Sequence, residues 1–135
     1  MTRSKVFSLP VRVYFQDTDA GGVVYHANYL NFMERTRTEW LRAHGYSNAG
    51  LMKEFGVVFV VRTMKLDYLK PALLDDALQV TVLLKEIGRS RLALQQTVQR
   101  GDELLTEAEV HLVCVSVDSF KPVSVPEVLR KKLQF

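Results

Sequence analysis

One helical stripe followed by four long alternating segments constrains this chain more than any other feature. Tyr29, Met33, Thr36 and Trp40 recur at helical spacing, with Leu30 and Leu41 beside them, and the chain's only Trp is among them. Asn28 reads as the N-cap and Gly45 as the stop. A short second helix is expected over residues 49–55, ended by Gly56. The pattern then switches to period two. Val58, Val60, Met64, Leu66 and Tyr68 alternate, as do Leu78, Val80, Val82 and Leu84. Leu92, Leu94 and Val98 follow, then Leu104, Ala108, Val110, Leu112 and Cys114. Lys70-Pro71, Asp75-Asp76, Gly88 and Arg100-Gly101-Asp102 separate these strands with turn residues. Residues 11–15 alternate as well and predict a first strand ahead of the helix. Val125-Pro126 opens a C-terminal helix, with Arg130, Lys131 and Lys132 near its end. One apolar helix cannot be buried by a flat sheet on one side alone. A long, strongly twisted antiparallel sheet wrapped around a central helix solves the burial, which makes the chain α+β. The edges of such a sheet favour pairing with a second copy.

At 135 residues the chain is expected to form one domain, 1–135. The single cysteine, Cys114, excludes an intrachain disulfide framework, and its Val113 and Val115 neighbours suggest a buried thiol. Residues 1–10 hold basic residues but no apolar run of signal-peptide type. The longest apolar run, residues 57–61, is far too short to span a membrane. The expectation is a soluble, cytoplasmic protein. The net charge of +3 suits an anionic partner such as a phosphorylated cofactor. The charges are dispersed and carry no nucleic-acid-binding signature.

Between the first strand and the helix lies Asp17-Thr18-Asp19-Ala20-Gly21-Gly22-Val23-Val24-Tyr25-His26-Ala27-Asn28-Tyr29. It aims carboxylates and a helix N-terminus at one small volume. Acyl transfer needs both an attacking or water-activating group and something to hold an oxyanion. The residues alone leave Asp17 and Asp19 open between chemistry and turn geometry, since Asp favours such loops. Gly21 and Gly22 permit a tight turn and also close approach of a substrate to the backbone. His26 offers its N–H, its imidazole, or both. Asp17, Asp19 and His26 do not have the spacing of a metal site, so no metal and no redox cofactor is expected. Glu34 and Glu39 on the helix are expected to pair with Arg35, Arg37 or Arg42, or to cap a site wall.

The motif Tyr14-Phe15-Gln16-Asp17-Thr18-Asp19-Ala20-Gly21-Gly22-Val23-Val24-Tyr25-His26 resembles the hot-dog-fold 4-hydroxybenzoyl-CoA thioesterase family. Within it, the motif is most similar to the Tol–Pal-associated acyl-CoA thioesterase branch. Glu34-Arg35-Thr36-Arg37-Thr38-Glu39, Phe59-Val60-Val61-Arg62 and Glu107-Ala108-Glu109-Val110 extend the likeness over nearly the whole chain. The resemblance implies an acyl-CoA thioesterase with Asp19 as nucleophile or general base. It implies the backbone N–H of His26 as oxyanion donor, with a helix start a turn before Asn28, and Tyr25 as a pocket wall. Asp17 and Asn28 would support the loop. Gly22 and Val60 would contact substrate, and Arg89, Ser90 and Arg91 the CoA phosphates, with Arg62 and Lys65 further candidates. A different branch of hot-dog thioesterases has its catalytic carboxylate on the helix, which makes Glu34 the reserve candidate. Arg suits phosphate through its planar donors. Gly88 departs from a basic family position, and the aryl preference of one family member does not carry over. The family builds its site across a homodimer, and dimers pair into tetramers. The competing readings are a non-hydrolytic module for acyl thioesters or acyl carrier protein, and a hydroxyacyl-thioester dehydratase. The latter would pair His26, His44 or His111 with a carboxylate, but none sits in a dehydratase-like motif.

Overall fold

The computed structural model describes residues 5–134; residues 1–4 of the segment read above as lacking an apolar run lie outside it. The order is β1 (Phe7–Arg12), a single 3-10 turn (Phe15–Asp17), α1 (Asn28–Ala43), α2 (Asn48–Phe55), β2 (Val57–Tyr68), β3 (Ala77–Ile87), β4 (Arg91–Arg100), β5 (Glu103–Ser116) and α3 (Glu127–Gln134). The strands form one sheet in the order β1-β3-β4-β5-β2, every neighbouring pair antiparallel. β1 and β2 are therefore its edges.

α1 lies on one face of this sheet. Its stripe Tyr29, Phe32, Met33, Thr36, Trp40 and Leu41 is buried against Val80, Val82, Leu94, Val98 and Val110 from the strands. Phe32 and Met33 are wholly enclosed, each contributing roughly 1.5–3 kcal/mol by leaving water. This is the expected hot-dog arrangement, a long helix held in a curved antiparallel sheet. α1 stops as the sequence indicated. Gly45 has φ 90°, and its N–H reaches the Arg42 carbonyl while Tyr46 N–H reaches Leu41. Gly56, at φ 67°, ends α2 the same way.

Two boundaries differ from expectation. The first strand covers Phe7–Arg12 rather than residues 11–15. Asp17 captures the Tyr14 N–H with its carboxylate at 2.8 Å, which pulls residues 14–17 into a 3-10 turn despite their strand-forming side chains. Asn28 is the first helical residue, not the cap, and Ala27 holds the cap position. The Asn28 N–H already donates to the Tyr25 carbonyl at 2.8 Å, so the chain turns helically before it.

Candidate active site

A short hairpin carries the motif. Thr18 bridges Val24, Asp19 N–H donates to Val23 at 2.9 Å, and Gly22 N–H returns to the Asp19 carbonyl at 3.0 Å. Gly22 takes φ 81° at the tip, a left-handed conformation that favours glycine. The two carboxylates then diverge. Asp17 is buried. Its Oδ2 accepts from Tyr14 N–H at 2.8 Å and its Oδ1 from the Asn28 side chain at 2.7 Å, while its carbonyl accepts from Tyr25 N–H. Each carboxylate oxygen of Asp17 is thus bonded to a group that fixes the loop against α1. Asp19 is exposed, and a single bond from Gly21 N–H to its Oδ1, at 2.9 Å, orients it.

The return arm leads into α1. The N–H groups of His26 and Ala27 find no acceptor among the described residues, so the helix start presents two free donors. Tyr68 at the end of β2 donates its hydroxyl to the His26 carbonyl at 2.9 Å, which fixes the following peptide plane. Tyr29 packs edge-on to Tyr68 and accepts the Ala72 N–H at 3.0 Å. Burial raises the phenol pKa of both tyrosines, so they remain neutral anchors at neutral pH. The segment behind them is held by Arg100, whose guanidinium meets Asp76 at 2.6 Å and the Pro71 carbonyl at 3.3 Å. The His26 and Tyr25 rings lie 4.5 Å apart, and both residues are exposed.

The other candidates fall elsewhere. Arg89 and Ser90 lie in the β3–β4 turn and Arg91 opens β4, at the end of the hairpin remote from the Ala77 terminus of β3, which pairs with Arg12. Eleven residues of strand separate them from the Asp19 loop by roughly 30 Å. Arg89 donates to Ser124 Oγ at 2.9 Å, and its carbonyl holds Val125 N–H and the Arg130 guanidinium. Arg62 is the extra residue of a bulge in β2, where the pairing shifts between Val61 and Thr63, and Lys65 is exposed further along the same strand. His44 ends α1, with its ring on the Trp40 carbonyl, and His111 lies on β5. Neither stands with Asp19. Glu39 pairs with Arg42 as expected, whereas Glu34 forms no ion pair among the described residues. No three His, Cys, Asp or Glu side chains among the described residues converge as a metal site requires.

The sequence reading missed a slot of about 420 Å³ between the C-terminal half of α1 and the first half of β2. Phe59, Val60, Val61, Leu92 and Leu112 line it on the sheet side, and Glu34, Arg37, Thr38 and Trp40 on the helix side. Its signal lay in the stripe itself, because Arg37 follows Tyr29 and Met33 at the same four-residue spacing. A charge on the apolar face marks a wall that is not simply core.

Comparison with known proteins adds four findings. A family model described as the thioesterase-like superfamily matches residues 13–133. The acyl-CoA thioesterase YbgC of Haemophilus influenzae is 45% identical over 121 residues, covering 90% of this chain and 89% of that protein. The acyl-CoA thioester hydrolase YbgC of Escherichia coli O6:H1 is 50% identical over 123 residues, covering 90% and 91%. Among solved structures, a probable thioesterase from Bartonella henselae superposes with a TM-score of 0.87 at 34% identity, covering 90% of this chain and 100% of that one.

Proposed function

This chain belongs to the thioesterase-like superfamily, and from that membership we propose that it is an acyl-CoA thioesterase, releasing a carboxylic acid and free CoA. The observation that carries the reading is the 45% and 50% identity to relatives named for that activity, each over nine-tenths of the chain. The free N–H groups at the start of α1, beside a hairpin that presents Asp19, support it. As a thioester is attacked, its carbonyl oxygen becomes anionic. Backbone donors at a helix N-terminus stabilise that charge without reorganising, aided by the helix dipole. Asp19 acts on the carbonyl carbon in one of two ways. It attacks directly, expelling CoA thiolate and leaving a mixed anhydride that water cleaves, or it takes a proton from the attacking water.

The complete site is proposed to require a homodimer. β1 is short and contains Pro10, while β2 is twelve residues long without proline, so β2 is the edge suited to pairing. Antiparallel pairing of two β2 strands sets the start of one α1, which sits at Tyr68, beside residues 58–61 of the other copy. Asp19 of one copy then faces the slot and the Arg89 turn of its partner, where Arg89, Ser90 and Arg91 meet the CoA phosphates. Further pairing into tetramers and acyl carrier protein as an alternative carrier belong to the same proposal. So does a cytoplasmic setting, whose reducing conditions suit the single buried thiol at Cys114.

Thiol release from a panel of acyl-CoAs tests the activity. The parent protein is expected to hydrolyse at least one, and Asp19→Asn to lose roughly 10²-fold or more in kcat with an unchanged melting temperature. Hydrolysis of none would end the enzyme reading, and a fully active Asp19→Asn would end the assignment of Asp19.

A further inference from the structure

Arg37 is placed where an arginine is costly. It projects from α1 into the slot and is half-buried, and desolvation lowers its pKa. One N–H donates to Gln96 Oε1 at 2.9 Å. Gln96 is wholly buried and is itself fixed by donating to the Met33 carbonyl at 3.1 Å. No carboxylate among the described residues pairs with Arg37. Glu34, one turn earlier, acts on it only through space. The remaining guanidinium N–H groups are without partners among the described residues, in a slot whose other side is Phe59, Val61 and Leu92. Thr106 Oγ1 is the one buried side-chain polar atom without a partner among the described residues, so these N–H groups reach solvent, and an acceptor that enters the slot replaces water on a charged donor already held in place. Gln96 presets the fork, and little side-chain freedom remains to be lost on binding.

We propose that Arg37 makes this slot selective for acyl thioesters whose acyl chain carries an oxygen acceptor, over plain hydrocarbon chains of the same length. The shared chemistry is an oxygen that accepts from a guanidinium, whether hydroxyl or carboxylate. The inference rests on the thioesterase reading for its substrate and goes beyond it in naming what the acyl chain must contain. Arg37 touches the acyl chain remote from the scissile bond, so it acts on binding and specificity rather than on the attack.

Four matched CoA thioesters decide the matter: hexanoyl, 3-hydroxyhexanoyl, 6-hydroxyhexanoyl and adipoyl. With the parent protein, at least one oxygen-bearing thioester is expected to exceed hexanoyl by about tenfold or more in kcat/KM, chiefly through KM. Which one leads identifies the acceptor and its depth. Arg37→Met is expected to abolish that preference, bringing the kcat/KM ratio of the leading thioester to hexanoyl down to about one. Arg37→Lys, which keeps the cation but not the fork, covers the case in which the Met variant fails to fold, and should retain part of the preference. Hexanoyl-CoA equal to or better than all three overturns the proposal. So does a parallel loss for all four with a changed oligomeric state, which would make Arg37 an ion-pair partner of the second copy. Calorimetric binding of the same four to Asp19→Asn separates this inference from the activity. If the parent hydrolyses none, the thioesterase reading fails, and equal affinities for all four would independently sink the selectivity.

Discussion

Two aspartates that look alike in sequence do opposite work in the site. Asp17 spends its carboxylate on Tyr14 and Asn28, while Asp19 faces outward on one bond from Gly21. The sequence could name both but not rank them from spacing, because what separates them is burial. It could likewise name His26 but not divide its backbone from its imidazole. A pair of substitutions makes that division. His26→Pro deletes the N–H at a position ahead of a helix where proline is tolerated, and it should lower kcat by roughly 10²–10³-fold. His26→Ala keeps the N–H and should retain most of the activity. Steady-state rates with circular dichroism as a folding check would show it; equal losses in both would return the role to the imidazole. Gly21 belongs to the same argument. A Cβ there would come within 3.2 Å of Asp19 Oδ1, so the glycine leaves room for the carboxylate rather than serving the turn alone.

Among the elements, periodicity read α1, α2 and the four later strands well, and most clearly where burial alternates residue by residue, as in β3 and β4. It failed at residues 11–15, where Tyr14 and Phe15 are strand formers by type but are exposed, and where a buried carboxylate from three residues ahead dictates a turn. Propensity carries no information about such a side-chain partner. β5 supplies an element-level prediction. Its Cys114 is buried behind the C-terminal segment, with Sγ 3.9 Å from the Ser124 carbonyl, and burial pushes the thiol up to about 11. In the unfolded chain it ionises near about 8.5. The folded state therefore holds the proton more tightly. The thiol's contribution is intact below about pH 8.5 and is lost as pH climbs toward 11, since only the unfolded chain sheds the proton in that window. Urea midpoints at pH 7.5 and pH 10 should fall more for the parent than for Cys114→Ala. A native thiol that reacts with a disulfide reagent at pH 8 as fast as the urea-unfolded chain would contradict the burial on which this rests.

At the scale of the whole molecule, the hydrophobic pattern foretold the wrapped helix, but it could not show that one chain holds its proposed site in two halves. Asp19 and the start of α1 lie at one end of the sheet, and the slot and the Arg89 turn toward the other. The free edge of β2 is the geometric reason to join them across a two-fold axis, and subunit complementation tests that reason directly. Asp19→Asn inactivates the hairpin half. Thr38→Trp, at the slot wall, fills the acyl half. Each homodimer should be nearly inactive. If every site draws Asp19 from one copy and its slot from the other, a mixed dimer has one site with both lesions and one with neither. Random exchange of equal amounts then restores about a quarter of parental activity, because about half the dimers are mixed and each has one intact site. Differently tagged subunits, denatured together, refolded and purified through both tags, should carry about half the parental rate per dimer. A site contained within a single chain leaves every site with one lesion and recovers nothing, so persistent inactivity of a verified mixed dimer would refute the shared site while leaving the thioesterase assignment to stand on Asp19→Asn alone.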